Sequence, residues 1–180
     1  MRLLLVWMLV MFIGHDAMAA DAKPASASPQ RAVLVTGAGV GIGRKIAERL
    51  AAEGYFVFAG ARKEQDLEAL DAIQNVRAVR LDVTVPAEVA AAVEVVRSSG
   101  RPLYGIVNNA GVAVVDPVLN TSEEDFDFQM QVNVYGVFRV TKAFAPLVIA
   151  SKGRIVNISS ISAFLSDGGT SAYTMSKAAV

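Results

Sequence analysis

Five short apolar runs alternating with longer helix-like segments constrain this chain more than any other feature. The runs are AVLVTG (32–37), YFVFAG (55–60), VRAVRLDV (76–83), LYGIVNNAG (103–111) and GRIVNISS (153–160). Helical patterns occupy 41–54, 64–73, 86–100 and 121–150, and another helix begins at Ser171. The first run reads as a buried strand, and regular alternation of strands with helical stretches argues for parallel strands joined by right-handed helical crossovers. The predicted fold class is therefore α/β, a doubly wound parallel sheet. Local signals agree. Gly54 closes the 41–54 helix and Pro86 stands in the first turn of 86–100. Thr121 and Ser122, with acidic residues behind them, open 121–150. Pro146 is expected to bend or interrupt that helix near its end.

The first thirty residues are different in kind. Arg2 precedes an almost purely apolar stretch from Leu3 to Gly14, and Ala17–Met18–Ala19 offers the small residues a signal peptidase accepts. The stretch is shorter than the roughly 20 apolar residues a spanning helix needs, so residues 1–19 read best as a cleaved export signal. An uncleaved anchor and a misassigned start are the alternatives. Residues 20–30, rich in Pro, Ala and Ser, read as a linker, and a single domain is expected over 31–180. The 17 basic and 17 acidic residues balance, giving no charge bias toward nucleic acid or acidic lipid. With no cysteine, and His15 alone in the leader, a disulfide framework, a metal site and a histidine-based triad are not expected.

TGAGVGIG (36–43) joins the first strand to the first helix. It departs from G-x-G-x-x-G and fits T-G-x-x-x-G-x-G, with Thr36, Gly37, Gly41 and Gly43. Glycines there let the backbone turn tightly and approach a pyrophosphate at a helix N-terminus; the plainer possibility is a close-packed βα turn. A carboxylate that holds the ribose hydroxyls of NAD is usual about 20 residues further on. Ala61 stands in its place, followed by Arg62 and Lys63. A guanidinium can pair a 2′-phosphate in two-pronged fashion, so NADP(H) is favoured over NAD(H). The plainer alternative is that the two cations simply solvate a loop.

Taken together, TGAGVGIG, Asp82 in LDV, NNAG (108–111), Asn133, NISS (157–160) and YTMSK (173–177) occur in an order that resembles the short-chain dehydrogenase/reductase family. The resemblance covers Ala32 to Val180 and implies a single-domain NAD(P)-binding Rossmann fold. The cofactor contacts it implies are Thr36, Gly37, Gly41, Ile42, Gly43, Arg62, Asp82, Val83, Asn109, Ala110, Gly111, Tyr173 and Lys177.

Tyr173 and Lys177 stand at i and i+4, stacked on one helix face. A free tyrosine titrates near pH ~10, and a neighbouring ammonium favours its phenolate. Tyr173 can then exchange a proton with an alcohol or carbonyl oxygen. By resemblance, Ser160, thirteen positions before Tyr173, hydrogen-bonds the substrate oxygen, and Asn133 is the fourth catalytic member. The plainer readings are a strand-end turn for Ser160, a turn-initiating role for Asp82 and a bridging role for Asn108.

The expected activity is hydride transfer between a nicotinamide and a secondary alcohol or ketone. A non-catalytic nucleotide-binding or scaffold protein is the alternative. The family's members continue past the tyrosine helix with a sixth and seventh strand and a loop over the substrate. The sequence is thus expected to be a C-terminally incomplete piece of a longer reading frame, homo-oligomeric when full length. Export or membrane association follows if the leader is real, a cytoplasmic location if the start is misassigned.

Overall fold

The structure, a computed structural model, describes residues 29–165 and 168–180. The leader (1–19) and all but the last two residues of the predicted linker lie outside the described residues. Gln30, at the linker's end, is tied to the domain: its amide donates to Gly54 O at 3.0 Å, and its Oε1 accepts from Arg101 at 3.0 Å.

The apolar runs become β1 (Ala32–Val35), β2 (Phe56–Ala61), β3 (Val76–Arg80), β4 (Leu103–Asn108) and β5 (Arg154–Asn157). They pair in parallel throughout, in the order β3-β2-β1-β4-β5. Side chains alternate across the sheet, so each central strand feeds two cores. On one face Leu34, Phe58 and Ile106 pack with α3 (Pro86–Ser98) and α5 (Gly136–Ala150). On the other, Val33, Val57 and Val107 pack with Ala47 of α1 (Gly41–Ala52) and Leu70 of α2 (Glu64–Asp71). The sheet is doubly wound, as the regular alternation of strands and helices implies.

Four strands stop two or three residues before their apolar runs do. β1, β3, β4 and β5 end at Val35, Arg80, Asn108 and Asn157, against predicted ends at 37, 83, 111 and 160. The surplus residues leave the ladder at the carboxyl edge of the sheet. β5 is an edge strand in the described residues, and all four of its residues are exposed.

The segment expected as one helix over 121–150 is continuous but not uniform. Ser122 caps α4 (Glu123–Met130), its Oγ accepting from Asp125 N at 3.0 Å. A π turn follows at Gln131–Tyr135, then α5. Pro146 lies inside α5, which runs through it to Ala150. By length and composition alone this 28-residue helix could cross a membrane. Here it packs on α3, β4 and β5 with Val140 and Phe144 fully buried. α6 (Ser171–Ala178) closes the order, packing on α4 and the π turn.

Candidate functional site

Strand order reverses between β1 and β4, and an α/β sheet opens a crevice beyond the carboxyl ends of the strands at such a point. Two residues lock its mouth. The Thr36 hydroxyl accepts from the backbone N–H groups of Asn109 and Ala110, each at 3.0 Å. Asn109 returns the favour from its side chain, with Nδ2 donating to Thr36 O at 3.0 Å and Gly37 O at 3.2 Å. This forces the glycine loop and the NNAG turn together, which is why neither flanking position tolerates bulk. Gly37 has φ +64°, and a Cβ there would sit 2.8 Å from Ala110 Cα. A Cβ on Gly43 would collide with Gly37 O and the Asn109 amide.

The cleft that results has a volume of about 370 Å³. Of the sequence-predicted cofactor contacts, Gly37, Ile42, Gly43, Arg62, Asp82, Val83, Asn109, Ala110 and Gly111 line it. Thr36 does not; it is 1% exposed and holds the loops from beneath. Gly41, with φ +59° and no atom within 4 Å of where its Cβ would be, opens α1 just outside the lining. No side chain caps the start of α1, so its first N–H groups are left for another acceptor. A glycine cradle, uncapped donors and the Arg62 and Lys63 cations form a set that fits an anionic dinucleotide.

Asp82 does two things. Its Oδ1 accepts from Thr84 N at 2.8 Å and Thr84 Oγ1 at 2.7 Å, the turn-forming role, while its Oδ2 lies 3.6 Å from Arg62. Burial works to raise its pKa, but the Thr84 hydrogen bonds and the Arg62 guanidinium together hold it below the usual carboxylate range. Asn108 bridges side chains, not backbone: its Nδ2 donates to Thr141 Oγ1 at 3.0 Å and Asn157 Oδ1 at 2.9 Å.

Beside the cleft, the long helix and α6 clamp the segment after β4. Asn133, in the π turn, accepts from Val112 N at 2.8 Å and donates to Val112 O at 2.9 Å. One turn earlier Gln129 accepts from Val114 N at 2.6 Å. Asn133 also donates to Ser176 Oγ at 2.9 Å, and Ser176 donates to Tyr173 O at 2.8 Å. α6 presents Tyr173 and Lys177 on one face, with Lys177 Nζ 5.9 Å from the centre of the Tyr173 ring. Lys177 is buried, donates to Ile158 O at 2.9 Å, and lies 3.4 Å from where a Cβ on Gly111 would be. Burial pushes its ammonium below the ordinary lysine range.

Tyr173, Lys177, Asn133 and the Gly111 turn thus form one connected group. Ser160 heads the 3₁₀ turn Ile161–Ala163, where its Oγ accepts from Ser162 N at 3.1 Å. No hydrogen bond joins it to Tyr173 among the described residues. It is Ser159 that reaches α6, donating to Lys177 O at 2.7 Å. Sequence reasoning passed over Ser176, Gln129 and Asp66, the last of which lines the cleft from α2. The only signal for Gln129 and Ser176 is polarity at a position facing the interior of a helix pair.

A family model described as short chain dehydrogenase matches residues 31–180. The chain is 38% identical over 175 residues to the mitochondrial D-beta-hydroxybutyrate dehydrogenase of Bos taurus, covering 92% of this chain and 50% of that protein. It is 35% identical over 153 residues to the uncharacterized oxidoreductase YbbO of Escherichia coli K12, covering 84% of this chain and 56% of the other. Among solved structures, a short-chain dehydrogenase from Streptomyces avermitilis superposes with a TM-score of 0.80 at 35% identity, over 85% of this chain and 57% of that one. A gluconate 5-dehydrogenase from Burkholderia cenocepacia in complex with NADP and tartrate gives 0.76 at 31% identity, over 83% and 61%. The chain spans about half the length of the curated relatives it matches. On these matches, the chain belongs to the short-chain dehydrogenase family.

Proposed function

We propose that this chain forms the cofactor-binding and proton-handling part of an oxidoreductase that interconverts a secondary alcohol and a ketone, with NADP(H) favoured. The observation that carries the proposal is the buried Lys177 ammonium on the same helix face as Tyr173, beside the cleft at the strand-order reversal. When bound, the nicotinamide cofactor supplies the hydride donor or acceptor. The chain's own residues do the rest. The glycine loop and the uncapped start of α1 would receive the pyrophosphate, and Arg62 with Lys63 the 2′-phosphate.

Tyr173 would take the proton of an alcohol or return one to a carbonyl oxygen. Lys177 donates one of its three N–H bonds to Ile158 O, leaving two for the reacting side. Ser160 accepts from Ser162 N, so its own O–H is left to donate to the substrate oxygen. Asn133 would hold the segment after β4 and the π turn in register beneath them.

Similarity to a hydroxybutyrate and a gluconate dehydrogenase supports alcohol oxidation, and the NADP-bound gluconate enzyme supports the cofactor. The non-catalytic scaffold alternative is not favoured, since relatives are named for dehydrogenase chemistry. The test is Tyr173→Phe in the full-length protein. Turnover of a panel of secondary alcohols and ketones should fall by about 10²-fold or more while nucleotide binding is retained. Undiminished turnover would overturn the assignment.

A further inference from the structure

The end of β2 lacks the carboxylate that commonly meets an adenosine ribose, because Ala61 occupies that position. The structure nevertheless puts a carboxylate at the same cleft from another element. Asp66, in the first turn of α2, lies against the glycine loop: a Cβ on Gly39 would fall 2.6 Å from Asp66 Oδ2 and 2.9 Å from its Cγ. Asp66, Gly39, Arg62 and Lys63 all line the cleft. Its carboxylate has no ion pair and no hydrogen bond among the described residues. By contrast Arg62 is drawn toward Asp82 at 3.6 Å, and the α2 carboxylate Glu64 is paired with Arg80. The edge of the cleft therefore carries an uncompensated negative group beside its two cations.

We propose that Asp66 supplies from α2 the ribose-facing carboxylate that β2 lacks, so that it accepts a hydrogen bond from a free 2′-hydroxyl and opposes a 2′-phosphate. This rests on the dinucleotide reading and deepens it. Arg62 and Lys63 pull the site toward NADP(H), Asp66 pulls it back, and the cleft takes both cofactor forms. The close approach of Asp66 to Gly39 gives that glycine a reason: any side chain there would displace the carboxylate.

The test uses two adenosine fragments that carry no nicotinamide, so it reads binding without turnover. Affinities of adenosine 2′,5′-bisphosphate and 5′-AMP are measured by calorimetry for the full-length protein and its Asp66→Asn variant. The substitution is nearly isosteric at a partly exposed helix position. Removing one charge beside a dianion should tighten the bisphosphate about tenfold, on the scale of a partly screened pair. 5′-AMP should weaken about threefold, as expected for replacing a charge-assisted hydrogen bond by a neutral one. The bisphosphate gain should shrink as salt is raised from low to physiological strength. An unchanged ratio of the two affinities overturns the role of Asp66 and leaves the dinucleotide reading standing. Failure of both proteins to bind either fragment overturns both.

Discussion

Thr36 offers a test in which two physical explanations predict opposite signs. Its hydroxyl lies 3.0 Å from the N–H groups of both Asn109 and Ala110, and its longer contact to Val107 O, at 3.5 Å, is weak. The residue is 1% exposed, so water cannot replace the hydroxyl from its own side. Thr36→Val keeps the shape and puts a methyl where the oxygen was. Each stranded N–H costs about 1–3 kcal/mol. Asn109 and Ala110 line an open cleft, so solvent relieves part of this and the lower half of the range applies to each. The expected loss is about 2–4 kcal/mol. Thr36→Ser keeps the oxygen and loses a methyl, which costs about 0.8 kcal/mol in transfer and up to about 1.5 kcal/mol with the cavity.

Urea unfolding of the three proteins should therefore rank wild type, then serine, then valine, with similar m-values. Amide exchange at Asn109 and Ala110 should accelerate in the valine variant alone. If burial of apolar surface governed this position, valine would be the more stable of the two. A valine variant as stable as the serine one would refute the hydrogen-bond account of the crevice.

Two further outcomes follow from the same geometry. Gly43→Ala should destabilise the fold by about 1–3 kcal/mol or more and weaken nucleotide binding, because its Cβ would strike Gly37 O and the Asn109 amide. Gly41→Ala, in open space at φ +59°, should cost only the left-handed penalty of about 1–2 kcal/mol. Thermal melts that reverse this order would show that torsion, not contact, dominates the loop. For Lys177, the folded-state pKa lies below the unfolded one, so the unfolded chain holds the proton longer as pH rises. The cost of burying the ammonium is thus full at neutral pH and is relieved between the lowered pKa and the ordinary lysine value near ~10.4. Urea titrations across that alkaline window should show the stability of Lys177→Met minus that of wild type falling as pH rises; a flat difference would contradict the burial argument.

The alternation of elements was legible because the central strands, buried on both faces, leave nearly unbroken apolar runs, and the helical segments between them carry stop and start signals such as Gly54 and Pro86. What misled was the far end of four of the five runs. Thr36–Gly37, Leu81–Val83, Asn109–Gly111 and Ile158–Ser160 look like strand because they are mostly apolar or small. The first three leave the ladder to turn at the crevice, while Ile158–Ser160 leaves it toward the 3₁₀ turn and α6. Leu81 and Val83 remain buried while Asp82 between them accepts from Thr84, a local bond that no period-2 pattern reveals. The π turn left one trace in the sequence, Asn133 in an apolar helix. Asp66 left none, because its importance comes from where the start of α2 sits relative to Gly39, and that depends on the packing of Leu67 and Leu70 beneath it.

Motif membership does not say what a polar side chain does here; its remaining hydrogen-bond capacity does. Ser176 both accepts and donates, and the amide of Asn133 donates twice and accepts once, so both are committed to the protein. Thr36 accepts twice and Asn109 donates twice, again to backbone. These four hold the loops. Among the described residues, Lys177 has two N–H bonds to spare, Ser160 has its O–H, and the Asp66 carboxylate has every lone pair open. Groups of the first kind are replaceable only by residues that reproduce their bonds, and their loss registers as stability before it registers as chemistry. Groups of the second kind can be altered with little harm to the fold, and what changes is the proton or anion they would meet. On that division, the motif residues TGAGVGIG and NNAG contribute mainly a shape, and the proposed chemistry falls to a few side chains that the shape leaves unsatisfied.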